Sequence, residues 1–136
     1  MQRLFVDTAA WIGLEVTNDE HHLAANTFLQ DAGRAFQWVT TNWVLWEAVT
    51  WLRRRAGHAS AVRFGERLLV SGKLEIITIT PRLEMSAWEI FRCYQDKDFG
   101  YIDCTSFAAM KHLGLKTAFT FDDHFRQAGF RMVPQY

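Results

Sequence analysis

Five short, mostly apolar runs punctuate the chain, and helical patterning fills the spaces between most of them. The runs are LFV (residues 4–6), AFQWVT (35–40), LEIITI (74–79), LKTAFT (115–120) and RMV (131–133). Each is too short for a buried helix, and together they favour β-branched and aromatic side chains, so they are read as strands. Strands separated by helices need crossover connections, which make parallel neighbours. The fold class expected is therefore α/β: a three-layer α/β/α sandwich around a central, mostly parallel sheet. No linker, repeat or low-complexity tract interrupts the 136 residues, so residues 1–136 are read as one domain.

Helix punctuation supports this layout. Trp11, Ile12 and Leu14 fit a short helix after the first strand. Asn18 is placed to cap a second helix running to about Gly33, with Asp19 and Glu20 in its first turn. Thr41 caps a third through NWVLWEAVTWLRRRA, which Gly57 stops. A fourth, ASAVRFGERLLVSG, ends at Gly72, and Thr80-Pro81 opens a long fifth one. After a loop around residues 96–100 comes a helix from about Tyr101 to Leu113, closed by Gly114, and a short one from Asp123. LEIITI is apolar almost throughout, as expected of a strand covered on both faces.

No apolar run approaches the roughly 20 residues that span a bilayer, and the first strand leaves no room for a signal peptide. Cys93 and Cys104 suggest no disulfide framework, so reduced thiols and a cytoplasmic location are expected. Net charge is zero, but residues 51–82 carry seven basic and two acidic side chains. The run Arg53, Arg54, Arg55, followed by Arg63 and Arg67, is either a solvated helix face or a patch that contacts phosphates.

The acidic residues fall in a pattern. Asp7 follows the first strand, Glu47 lies two turns into the third helix, Asp103 opens a helix, and Asp122 comes two residues after LKTAFT. All four sit on segments leaving the carboxyl edge of the sheet, where α/β proteins bind ligands. Each also has a plain structural explanation: a cap for Asp7 or Asp103, a turn for Asp122, an exposed helix position for Glu47. Glu47 shares its helical face with Trp43, Thr50 and Trp51, which is a poor solvent face. Two carboxylates about 4 Å apart repel by roughly 4 kcal/mol at an effective dielectric near 20. Converging carboxylates therefore hold protons or share a cation. Oxygen ligands without a Cys/His set select Mg²⁺ or Mn²⁺, and the chemistry implied is phosphodiester hydrolysis by a metal-activated water.

Four stretches, LFVDTAAW, TTNWVLWEAVTWLRRR, GYIDCTSFAAMKHLGL and AFTFDDHFRQAGF, resemble in order the motifs of the PIN-domain ribonucleases, in particular the VapC-type toxins of toxin–antitoxin systems. The resemblance covers essentially the whole chain. It implies that Asp7, Glu47, Asp103 and Asp122 are the catalytic and metal-binding residues. It further implies a Mg²⁺- or Mn²⁺-dependent endoribonuclease acting on structured RNA such as tRNA, forming a homodimer and inhibited by a cognate antitoxin protein. Six tryptophans and eleven phenylalanines suit either an aromatic core or an apolar interface.

Thr8, Asp98 and Thr120 are possible auxiliaries. Ser106 is read as a helix cap, Asp96 as a loop residue, His124 as structural, and His21-His22 as a solvated helix start. Which of Asp122 and Asp123 faces a metal rests on the motif alone. Two further readings stay open: a catalytically weak module of this fold that binds RNA or a protein partner, and a receiver-type phosphoacceptor domain. The receiver reading lacks the acidic pair and late lysine it needs.

Overall fold

The computed structural model describes residues 1–135. Its elements are β1 (Arg3–Val6), α1 (Thr8–Glu15), α2 (His22–Asp31), a 3₁₀ turn (Gly33–Ala35), β2 (Gln37–Thr41), α3 (Asn42–Ala56), α4 (His58–Val70), β3 (Leu74–Ile77), α5 (Pro81–Cys93), α6 (Tyr101–Leu113), β4 (Thr117–Phe119), α7 (His124–Gln127) and β5 (Arg131–Val133). One five-stranded sheet runs β3-β2-β1-β4-β5 with every pairing parallel, rather than mostly so.

β1 holds the centre. Leu4, Phe5 and Val6 are fully enclosed, with Phe5 registered against Val39 of β2 and Ala118 of β4. Burial on both faces is what such a run of apolar side chains requires. LEIITI does not fit that expectation. β3 is a sheet edge, paired on one side only, and its residues are half-buried. Its Glu75 pairs with Arg3 at 2.7 Å. A β-branched run cannot by itself distinguish a central strand from an edge.

The caps follow local chemistry closely. Thr41 Oγ1 accepts from the Val44 amide at 3.1 Å, and Thr80 Oγ1 accepts from the Leu83 amide at 3.3 Å. Gly57 and Gly114 end α3 and α6 at φ of 93° and 71°, a region that favours glycine. Asn18 is not the cap of α2, which begins at His22. Asp19 folds the preceding turn instead, accepting from the His21 amide at 3.0 Å. α2 also stops at Asp31, with a 3₁₀ turn completing the path to β2.

Aromatic rings join the layers. Trp11 packs edge-on to Trp38 at 5.6 Å and to Phe64 at 5.7 Å, while Phe107 meets Phe125 at 5.0 Å. Trp11, Trp38 and Trp43 therefore belong to the core or pack on it, whereas Trp46, Trp51 and Trp88 are exposed. Among the described residues no helix is long and apolar enough to cross a membrane.

Candidate active site

The strand order reverses at β1: the chain moves to β2 on one side and returns to β4 on the other. Crevices open at such a reversal, at the carboxyl edge. Asp7 sits there. It occupies the N-cap position of α1 but makes no side-chain cap bond. Its Oδ2 instead accepts from Thr120 Oγ1 at 2.9 Å, and its amide donates to the Phe119 carbonyl at 3.1 Å. Thr120 is fully buried behind Asp7, and its hydroxyl oxygen also accepts from the Asp122 amide at 3.0 Å. One side chain thus fixes Asp7 and steers the backbone that carries Asp122.

Asp122 is both turn former and wall. Its Oδ1 accepts from the His124 amide at 3.0 Å. His124 Nδ1 lies 3.2 Å from that same oxygen and 3.2 Å from Asp103 Oδ2. Asp103 comes from the first turn of α6, and Glu47 from α3, which Thr41 anchors to the end of β2. Asp7, Thr8, Glu47, Asp103 and Asp122 line one cavity of about 240 Å³.

The electrostatics are those of crowded, dehydrated carboxyls. Burial, then the neighbouring Asp103 charge, pushes Asp7 up to about 7, against the opposing Thr120 bond. Burial first, and then the Asp122 charge, raises Asp103, which His124 partly offsets. Glu47 is also raised, by burial and by the Asp103 and Asp122 charges. The Thr8 hydroxyl lies close enough to Glu47 to favour its ionised form, yet it makes no hydrogen bond and is buried.

A divalent cation fits this donor set. The carboxylates repel one another, a buried hydroxyl at the wall is unpartnered, and Asp103, Asp122 and His124 offer ligand atoms all within 4.8 Å of one another. The donors are oxygen plus one imidazole, without thiolate, which suits a hard divalent ion.

Other expected auxiliaries lie elsewhere. Asp98 is exposed and does not line the cavity, because the adjacent Phe99 turns inward onto Phe107 at 5.1 Å. Asp96 is exposed beside Lys97. Asp123 faces outward to Arg126, which leaves Asp122 as the member of the pair in the cavity. Ser106 caps nothing: it lies buried within α6 with its hydroxyl unpartnered. Of the arginines, Arg67 pairs with Glu15 and lies over Phe64, Arg63 bonds Ser60, Arg53 is exposed, and Arg54 lies over Trp51. None of those four lines the cavity. Arg55 does, together with Trp51, Asp19 and His21. Trp51 and Arg55 stand four and eight residues beyond Glu47, so helical spacing carried a signal for both. His21 stacks flat on Phe121 at 4.2 Å, and His22 Nδ1 contacts the Gly13 carbonyl at 2.8 Å, so neither is merely solvated.

A parallel α/β sheet with converging carboxyls at its carboxyl edge defines the class of α/β proteins built to hold a divalent cation at a strand-end crevice. Residues 4–131 match the PIN domain, and the chain belongs to that family. It is 35% identical over 127 residues to the 23S rRNA-specific endonuclease VapC20 of Mycobacterium tuberculosis, covering 93% of this chain and 95% of that one. It is 31% identical over 117 residues to a VapC ribonuclease of Archaeoglobus fulgidus, covering 82% and 72% respectively. The crystal structure of the M. tuberculosis protein, described as a sarcin–ricin loop cleaving toxin, superposes with a TM-score of 0.87 at 33% identity, over 93% of this chain and 95% of that one. A VapBC2 structure from Rickettsia felis, at 13% identity and a TM-score of 0.72 over 96% and 97%, shares the fold. The family membership removes the receiver-type reading, and the chain is a VapC-type ribonuclease.

Proposed function

We propose that this VapC-type endoribonuclease hydrolyses structured RNA with Mg²⁺ or Mn²⁺ held by Asp7, Asp103 and Asp122, with Glu47 completing the acidic wall and His124 beside it. The observation that carries this reading is the shared cavity: Asp7, Glu47, Asp103 and Asp122 line one space of about 240 Å³, and burial beside the Asp103 charge disfavours ionised Asp7 unless a cation neutralises it. When bound, the metal supplies water activation at neutral pH and neutralises charge building on the phosphate. The chain's residues do the positioning. Thr120 holds one Asp7 oxygen, leaving the carboxylate oriented from behind. His124 keeps Asp103 and Asp122 together despite their like charge. Thr8 and Glu47 form the opposite wall, where a hydroxyl without a partner can meet a water or a phosphate oxygen.

We place ribosomal RNA ahead of tRNA as substrate, because the 35%-identical relative is named as 23S rRNA-specific. The physiological setting we propose is the cytoplasm, with the whole of residues 1–136 acting as one domain under the control of a cognate antitoxin. A homodimer suits α5, which leaves Met85, Trp88 and Phe91 exposed. A non-catalytic binding module is disfavoured, since nothing in a binding role calls for four carboxyls in one cavity.

The test is cleavage of purified ribosomal RNA and of tRNA with Mg²⁺, Mn²⁺ or a chelator. Metal-dependent cutting is expected, lost in each of Asp7→Asn, Asp103→Asn and Asp122→Asn while the fold survives. Retained cleavage in two of the three variants would overturn the assignment.

A further inference from the structure

His124 stands where two acidic side chains meet. Its Nδ1 lies 3.2 Å from Asp103 Oδ2 and 3.2 Å from Asp122 Oδ1, and each of the three residues offers a ligand atom within 4.8 Å of the others. The four motif carboxyls account for its neighbours but not for the ring itself. Hydrogen bonding alone explains the arrangement poorly. Nδ1 carries at most one hydrogen, yet oxygens from two different residues stand equally near it. Bonds between an ionised nitrogen donor and a carboxylate run about 2.7–2.9 Å, shorter than either contact. Coordination explains it better. Ligands about 2.1 Å from an octahedral ion, at right angles to one another, stand about 3 Å apart. That is close to the spacing Nδ1 keeps from both oxygens.

We infer that His124 is a metal ligand through Nδ1, beside Asp103 and Asp122, and that this nitrogen makes the site prefer Mn²⁺ to Mg²⁺. The inference rests on the metal site of the endoribonuclease reading and narrows its choice of ion. Mg²⁺ keeps to oxygen donors and gives up water reluctantly, whereas imidazole suits first-row transition ions. A nitrogen in place of one oxygen therefore disfavours Mg²⁺ more than Mn²⁺. The ring is held ready for this. The His124 amide donates to Asp122 Oδ1 at 3.0 Å, Phe99 meets the ring edge-on at 5.5 Å, and the next residue, Phe125, is fully buried. Little side-chain freedom is left to lose when an ion arrives. Coordination uses the tautomer with its hydrogen on Nε2, which leaves the Nδ1 lone pair free for the ion. Thr8 is an independent sign that a polar ligand belongs in this cavity, since its hydroxyl is buried on the wall without a partner.

The test uses the full chain with Mn²⁺ alone, read by electron paramagnetic resonance. The free-ion signal gives the affinity, and spin-echo modulation reports nitrogen bound to the ion. Wild type should show the modulation of one imidazole. It should survive in His21→Gln, which removes the other imidazole beside the cavity, and vanish in His124→Gln. Mn²⁺ affinity should fall about tenfold in His124→Gln, while Mg²⁺ affinity, measured by displacement of Mn²⁺, falls less than about threefold. His124→Asp, which exchanges the nitrogen for a carboxylate oxygen, should move the preference toward Mg²⁺. A purely structural ring would lower both affinities alike and never show in the echo. The wild-type spectrum needs no variant, so a substitution that fails to fold still leaves the question decided. Mn²⁺ bound without nitrogen modulation, modulation that persists in His124→Gln, equal loss of both affinities, or no Mn²⁺ binding at all overturns the inference. Metal-dependent RNA cleavage by a protein without the modulation sinks this inference alone. Modulation that depends on His124, without any RNA cleavage, sinks the nuclease reading and leaves the ligand standing.

Discussion

Replacing Asp7 with asparagine should make the metal-free protein more stable, although it removes a buried hydrogen-bonded carboxylate. The folded state raises the Asp7 carboxyl from 3.8 to about 7. Each tenfold change in proton affinity corresponds to about 1.4 kcal/mol, so ionised Asp7 costs folding a ceiling of about 4 kcal/mol above pH 7. The sign follows from proton counting. Between 3.8 and about 7 the folded protein holds a proton that the unfolded chain has lost, so stability falls as pH rises through that window. Asparagine keeps the oxygen that accepts from Thr120 but brings two amide hydrogens into a buried place, which gives back part of the gain. A net gain of about 2 kcal/mol remains, or roughly 8 °C in melting temperature for a domain of this size. Circular-dichroism melts in chelator at about pH 8 and about pH 4.5 measure it. The variant should melt higher at the upper pH and slightly lower than wild type at the lower one, where the amide penalty remains and the ionisation cost has mostly gone. Mg²⁺ should raise the wild-type midpoint and leave the variant's nearly unmoved. A variant that melts lower than wild type by the same amount at both pH values would refute the reasoning and make Asp7 a structural anchor.

Metal affinity should fall about tenfold per pH unit below 7, since a cation must displace the Asp7 proton; calorimetric titration with Mn²⁺ in two buffers should detect that proton's release. Thr41→Ala should cost about 1 kcal/mol in urea unfolding by uncapping α3, and it should weaken metal binding too because Glu47 rides on that helix. The double change Trp88→Ser and Phe91→Ser should convert the proposed dimer to monomer in light scattering and remove the dependence of Tm on protein concentration; a persistent dimer would move the interface elsewhere.

What the sequence disclosed was mostly local. Thr41, Thr80, Gly57 and Gly114 mark helix ends through bonds or dihedrals set within a few residues, and such signals survive any tertiary context. Asp7 and Asp122 were legible because parallel strands place their exits on one edge, whereas Glu47 and Asp103 ride on helices and were marked by the motif pattern. Lateral facts were not legible. β3 has the composition of an enclosed strand, and only its place in the order β3-β2-β1-β4-β5 makes it an edge. His124 reaches Asp103 across 21 residues, and Arg55 meets Asp19 across 36, through packing between elements that no window of sequence contains. Asp98 was a reasonable auxiliary until the inward turn of Phe99 decided which side of the loop faced water.

The bond from Thr120 to Asp7 spans 113 positions. During synthesis, a ribosome must therefore translate the chain past Asp122 before this cavity can close. Until β4 docks beside β1, an emerging chain lacks both Asp122 and the hydroxyl that fixes Asp7, so its acidic centre stays incomplete until the last helix and strands are in place.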